Sequence, residues 1–119
     1  MVTNVILDTN ALLMPFEVRL NLDLAVREVL GDVHFIVPGP IIGELKRLEH
    51  KFAPVALELA RRYEIIQTSS SGDASVLELA KSTGAHVLTN DKDLRSKLRK
   101  EGIPVMYLRS GTHLVVDVR

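Results

Sequence analysis

The 119-residue sequence contains no cysteine and no tryptophan. Without cysteine there is no disulfide, no thiolate nucleophile and no thiolate zinc site, a composition that suits a reducing compartment. Aromatic residues amount to only 4%, too few for the stacked-base platforms of many single-strand binders. Neither sign of charge is in excess, because 15 basic side chains cancel 15 acidic ones. That balance argues against a domain holding nucleic acid by bulk charge and directs attention to local charge. No apolar run approaches the ~18 residues that a spanning helix needs, and residues 1–7 lack the basic flank and small-residue cleavage site of a secretory signal. A cytoplasmic protein without membrane attachment is therefore expected.

What is present is an ordinary globular balance, 46% hydrophobic and 25% charged. A chain of this length buries roughly two-thirds of its unfolded surface, enough for a core without staples, and no repeat or linker divides it. We read one domain over residues 1–119. Short β-branched apolar runs at 4–7, 33–37, 64–67, 86–89 and 104–108 alternate with stretches of helical period at 20–30, 40–48, 52–63, 73–81 and 91–100. Asn21 and Gly31 bracket the first helix, and Gly102 closes the last. Strands separated by helices of this length pair in parallel through right-handed crossovers, so the predicted fold is a three-layer α/β sandwich around a parallel sheet. Residues 68–72, all small, read as a mobile loop. Residues 114–118 read either as a sixth strand or as a partner-binding segment.

Ligands of open parallel sheets bind beyond the carboxyl ends of the strands, and the polar residues at those positions are mostly acids. Asp8 follows the first strand, Glu44 lies in the helix after the second, Asp73 opens the helix after the third, and Asp91 follows the fourth. Asp8, Asp73 and Asp91 also suit helix N-caps, and Glu44 also suits a surface pair with Arg47. At ~100° per residue, however, Glu44 falls at the rim of the apolar stripe of Ile41, Leu45 and Leu48. Four neighbouring carboxylates raise one another's pKa unless a cation lies between them. Hard Mg2+ or Mn2+ prefers such oxygen ligands. His34, His50, His86 and His113 have no ligand-like spacing and are read as surface or edge residues.

Taken in order, Leu7, Asp8, Thr9 and Asn10, then Glu44, then the segment from Gly72 to Ala80, then the segment from Val87 to Leu94 resemble the successive motifs of PIN domain nucleases. The likeness runs from Val2 to about Leu108, and its last motif is especially similar to the ribosome-processing branch and its archaeal relatives. The resemblance implies a sheet of order 3-2-1-4-5 and metal-dependent cleavage of single-stranded RNA. It places the family's acids on Asp8, Glu44, Asp73 and Asp91, with Asp93 matching an additional acid of some members and Asn10 and Thr89 matching supporting polar positions. One departure is Gly72, where many relatives carry a second acid before Asp73. A homodimer and an antitoxin or ribosome-assembly partner are further expectations of the resemblance.

In chemical terms, Asp8 and Asp91 are the expected direct ligands of Mg2+ or Mn2+, and Asp73 is a direct or water-mediated one. Glu44 serves as a ligand or orients the attacking water. Asn10 and Thr89 serve either to hold carboxylates by hydrogen bonds or in ordinary turns. Lys46, Arg47 and Lys51 follow Glu44, and Lys92, Arg95, Lys97, Arg99 and Lys100 follow Asp91; they form either a phosphate track or solvated helix faces. A haloacid dehalogenase-like phosphatase wants a second Asp where Asn10 stands, and a receiver domain wants paired acids near its first strand. The alternative of another class is a non-catalytic PIN-like module that binds RNA or a protein as an assembly factor.

Overall fold

The computed structural model describes residues 1–111 and 113–117. Strand β1 (Thr3–Leu7) carries Val5, Ile6 and Leu7 in succession, each completely buried. A strand with apolar side chains on both faces belongs in the middle of a covered sheet. It pairs in parallel with β2 (Val33–Pro38) on one side and β4 (His86–Leu88) on the other. Beyond these lie β3 (Glu64–Ile66) and β5 (Val105–Arg109), also parallel. The order β3-β2-β1-β4-β5 is the expected one, and β6 (His113–Asp117) extends it as an antiparallel edge. The tail is thus a strand as far as Asp117; Val118 and Arg119 lie outside the described residues.

Alternation along the strands sends side chains into two cores. Val5, Leu7, Phe35, Val37, Leu88 and Met106 pack against α1 (Thr9–Glu17), α2 (Leu22–Leu30), α3 (Gly39–Arg47) and α4 (Ala53–Ala60). Ile6, Ile36, Val87 and Val105 pack against α5 (Gly72–Thr83) and α6 (Lys92–Lys100). The three-layer sandwich follows from this division.

Helix α1 has no counterpart in the sequence reading. Ala11, Leu12, Leu13 and Met14 are consecutive and all buried, so no polar face marks a helical period, and Pro15 stands where a helix is expected to end. The neighbouring helix begins two residues later than expected, at Leu22, because Asn21 stays extended and accepts the Leu24 N–H. The small-residue loop is tethered. Glu78 on α5 accepts the backbone N–H groups of Ser69 and Ser70 at 2.9–3.1 Å, bonds that hold its carboxyl below the usual range. None of the helices among the described residues is long and apolar enough to cross a membrane.

Candidate functional site

Strands β1 and β4 are parallel neighbours with Leu7 level with Leu88. The residues that follow, Asp8 and Thr89, therefore emerge side by side, and the Thr89 hydroxyl donates to Asp8 Oδ2 at 2.5 Å. The other Asp8 oxygen accepts the Ala11 N–H at 2.8 Å, capping α1. Asp8 is 7% exposed and Thr89 fully buried. Burial pushes the Asp8 carboxyl up to about 7; the bonds from Thr89 and Ala11 oppose that rise, while the charges of Asp91 and Asp73 add to it. Thr89 Oγ1 also accepts the Asp91 N–H at 3.1 Å, so one hydroxyl ties the two acids together. Asp91 in turn caps α6 by accepting the Leu94 N–H at 3.0 Å.

Glu44 is half-buried and accepts the Thr9 hydroxyl at 2.8 Å, rather than pairing with Arg47. Asp73 lies in the first turn of α5 beyond the Ser71 cap position, so it is not itself the cap, and it meets Lys97 of α6 at 3.5 Å. Asn10 Oδ1 accepts the Asn90 N–H at 2.8 Å, and the Asn90 side chain bonds both the N–H and the carbonyl of Leu108. Asn90 thereby acts as a surrogate strand residue that fastens the end of β4 to β5. Asp8, Glu44, Asp73 and Asp91 border one cleft of about 280 Å³, together with Thr9, Asn10 and His50.

Thr9, Asn90 and His50 were not among the sequence-based candidates. Thr9 and Asn90 lie inside the motif segments and have only their position in the sequence to mark them. His50 faces the cleft, accepts the Phe52 N–H at Nδ1 and meets Glu17 through Nε2 at 3.0 Å. Asp93 is exposed in the first turn of α6 and is not part of the cleft lining. Lys46 and Arg47, on the last turn of α3, are exposed, as are Lys92 and Lys100 on α6. Arg95 stacks over Tyr107, and Arg99 is bound to Asp117.

The donor chemistry fits a hard divalent cation, because the cleft offers carboxylate oxygens and one of them is buried at a cost in charge. Among the described residues no three acidic or imidazole groups stand close enough to share one ion, so the fold provides an acid-bordered cleft rather than a closed coordination shell. A larger groove of about 590 Å³ between α1, α2 and α4 is floored by Phe16, Leu20, Leu22, Leu59 and Tyr63. It gathers no comparable set of acids.

The family model described as "PIN like domain" matches residues 5–111. Ribonuclease VapC9 of Archaeoglobus fulgidus is 32% identical over 120 residues, covering 95% of this chain and 88% of that protein. Ribonuclease VapC4 of Methanocaldococcus jannaschii is 32% identical over 114 residues, with 86% and 87% covered. Among solved structures, the PIN domain endonuclease Utp24 superposes with a TM-score of 0.84 at 23% identity, covering 98% of this chain and 92% of that one. That likeness is one of fold.

Proposed function

The chain belongs to the PIN domain family of nucleases, and from that premise we propose that it is a ribonuclease, dependent on Mg2+ or Mn2+, that cleaves single-stranded RNA. The observation that carries this reading is the arrival of Asp8, Glu44, Asp73 and Asp91 at one cleft where the strand order reverses between β1 and β4. Because no three of these acids stand close enough to share one ion directly, Asp8, Asp73 and Asp91 would hold it partly through bound water, with Glu44 as a further direct or water-mediated ligand and Asp93 as an outer acid. An ion bound there would supply an activated water and would neutralise charge on the phosphodiester.

The chain's own residues do the rest. Thr89 fixes the rotamer of Asp8 and places Asp91 beside it. Thr9 holds one Glu44 oxygen, leaving the other to orient the attacking water. Asn10 holds the Asn90 backbone, and with it the turn that carries Asp91. Lys46, Arg47, Lys92, Arg95 and Lys100 offset the acidic cleft and attract phosphate. A splayed single strand enters a cleft of this size where a duplex does not. An antitoxin or ribosome-assembly partner and a homodimeric state are part of the same proposal, and are checked by copurification and solution mass.

The test is direct. The parent protein is expected to cleave unstructured RNA with Mn2+ or Mg2+ and to stop on chelation. Millimolar Mn2+ is expected to raise its melting temperature, because an ion that binds only the folded state stabilises it by mass action. Neither cleavage nor an ion-dependent shift, in independent preparations, overturns the proposal in favour of a non-catalytic RNA- or protein-binding module.

A further inference from the structure

Lys92, Arg95 and Arg99 recur at intervals of three and four residues on α6 and therefore share one stripe. They wall a shallow depression of about 260 Å³. The stripe starts one residue after Asp91 and runs about 10 Å along the helix at 1.5 Å per residue, away from the acidic cleft. Its two arginines have different surroundings. Arg99 is neutralised: its Nε donates to Asp117 Oδ2 at 2.9 Å, and its Nη2 meets the same oxygen. Arg95 is not, since no carboxylate among the described residues pairs with it.

The Arg95 guanidinium lies 3.7 Å from the centroid of the Tyr107 ring. Its Nε is buried and has no acceptor among the described residues, so the ring face is its main companion. Stacking of this kind fixes the orientation of a planar cation without neutralising it. The remaining donors of the fork are thereby pre-organised for an oxyanion, which Arg takes in bidentate fashion where Lys offers a point charge. Lys92 adds a second charge one turn earlier, next to the cleft.

We propose that Lys92 and the Arg95–Tyr107 pair form a phosphate subsite for an RNA strand running from the acidic cleft along α6, and that Asp117, at the end of β6, withholds Arg99 from it. This subsite rests on the ribonuclease reading and specifies where the substrate strand lies. The topology explains the division of labour. Antiparallel pairing sets Asp117 opposite Val105 and Val115 opposite Tyr107, so the same sheet face that lifts Tyr107 under Arg95 brings Asp117 under Arg99, one helical turn on. The sixth strand thus sets how many free cations the track contains.

The experiment measures binding of a short fluorescein-labelled oligouridylate to the non-cleaving Asp8→Asn protein in chelator over a salt series. Arg95→Gln is expected to weaken binding roughly tenfold and to make the slope of log K against log salt shallower by about 0.7, the value of one phosphate contact to a single strand. Arg95→Lys keeps the charge but loses the stacked fork, so the slope is retained while affinity falls several-fold. Asp117→Asn is expected to steepen the slope by about 0.7, and adding Arg99→Gln to it reverses that gain. Circular dichroism melts establish that each variant is folded, and Arg95→Lys keeps the test open if Arg95→Gln is not. An unchanged slope in Arg95→Gln, or no response to Asp117→Asn, overturns the subsite. If the parent still cleaves RNA in that case, the ribonuclease reading survives; if the parent neither binds nor cleaves RNA, both fall.

Discussion

At the end of β1, Asp8 caps α1 from a position that is 7% exposed; at the end of β4, Asp91 caps α6 from a position open to solvent. The local chemistry is the same, a carboxylate oxygen accepting the N–H three residues on. The surroundings differ because Asp8 follows Leu7 of the central strand directly, whereas Thr89 and Asn90 intervene between Leu88 and Asp91. Asp8 therefore lies at the level of the buried sheet and Asp91 one step out from it. Capping and a role in the site are thus not competing explanations: each of these two acids spends one oxygen on its helix and borders the cleft as well.

The largest expected effect sharpens what the two acids share. Asp8→Asn and Asp91→Asn each keep the side-chain volume and remove a formal charge, and each is expected to reduce ion-dependent RNA cleavage by more than about 100-fold, beyond the range for groups that only support ligands. Single-turnover assays on unstructured RNA read this. Normal cleavage by either variant breaks the equivalence.

The next effect separates them. The folded-state pKa of Asp8, about 7, stands above its ordinary 3.8, so between those values the folded protein binds more protons than the unfolded one. Below pH 4 both states are protonated and Asp8 costs nothing. As pH rises from about 4 to 7, stability is lost progressively, by an amount on the order of 4 kcal/mol once the folded-state carboxyl has ionised. In chelator, Asp8→Asn is expected to lack this decline and to melt higher than the parent at pH 8, with little difference at pH 4. Asp91→Asn leaves Asp8 buried but removes a charge that adds to its rise, so it is expected to retain the decline in a reduced form. Thermal melts across that range make the comparison, and parallel profiles for parent and Asp8→Asn contradict the desolvated carboxyl.

The smallest effect tests the hydroxyl that joins the two. Thr89→Val keeps the buried shape but removes the donor to Asp8 and the acceptor for the Asp91 N–H. It is expected to lower cleavage by about 10- to 100-fold, the range for groups that orient ligands. Thr89→Ser, which retains the hydroxyl, is expected to restore most of it. Equal losses in the two variants mean that Thr89 acts through packing alone.

Much of this was legible in one dimension. The strands at 33–37 and 86–89 appear as short β-branched runs, α2 is framed by Asn21 and Gly31, and Asp8, Asp73 and Asp91 follow strand ends in the linear order. Helix period, capping and strand alternation are set by residues a few positions apart, so a sequence displays them directly. α1 escaped the same logic because burial of four successive side chains erases the polar face that a period needs.

What the tertiary structure alone decided involves residues far apart in the chain. Thr9 reaches Glu44 across 35 positions, Asn10 reaches Asn90 across 80, and Thr89 reaches Asp8 across 81. The first of these comes from the packing of α1 against α3 and the other two from the register of β1 against β4, and no local signal encodes either. The same holds for the basic helix, where Lys92, Arg95, Lys97 and Arg99 read as one run of charge. Only the placement of β5 and β6 beneath α6 gave Arg95 an aromatic ring and Arg99 a carboxylate. The sequence by itself thus determined the acidic and basic residues and the elements that carry them, because those depend on local periodicity. Which acid is desolvated and which cation is left free depends on the neighbours that long-range strand pairing supplies, and so was decided by the fold.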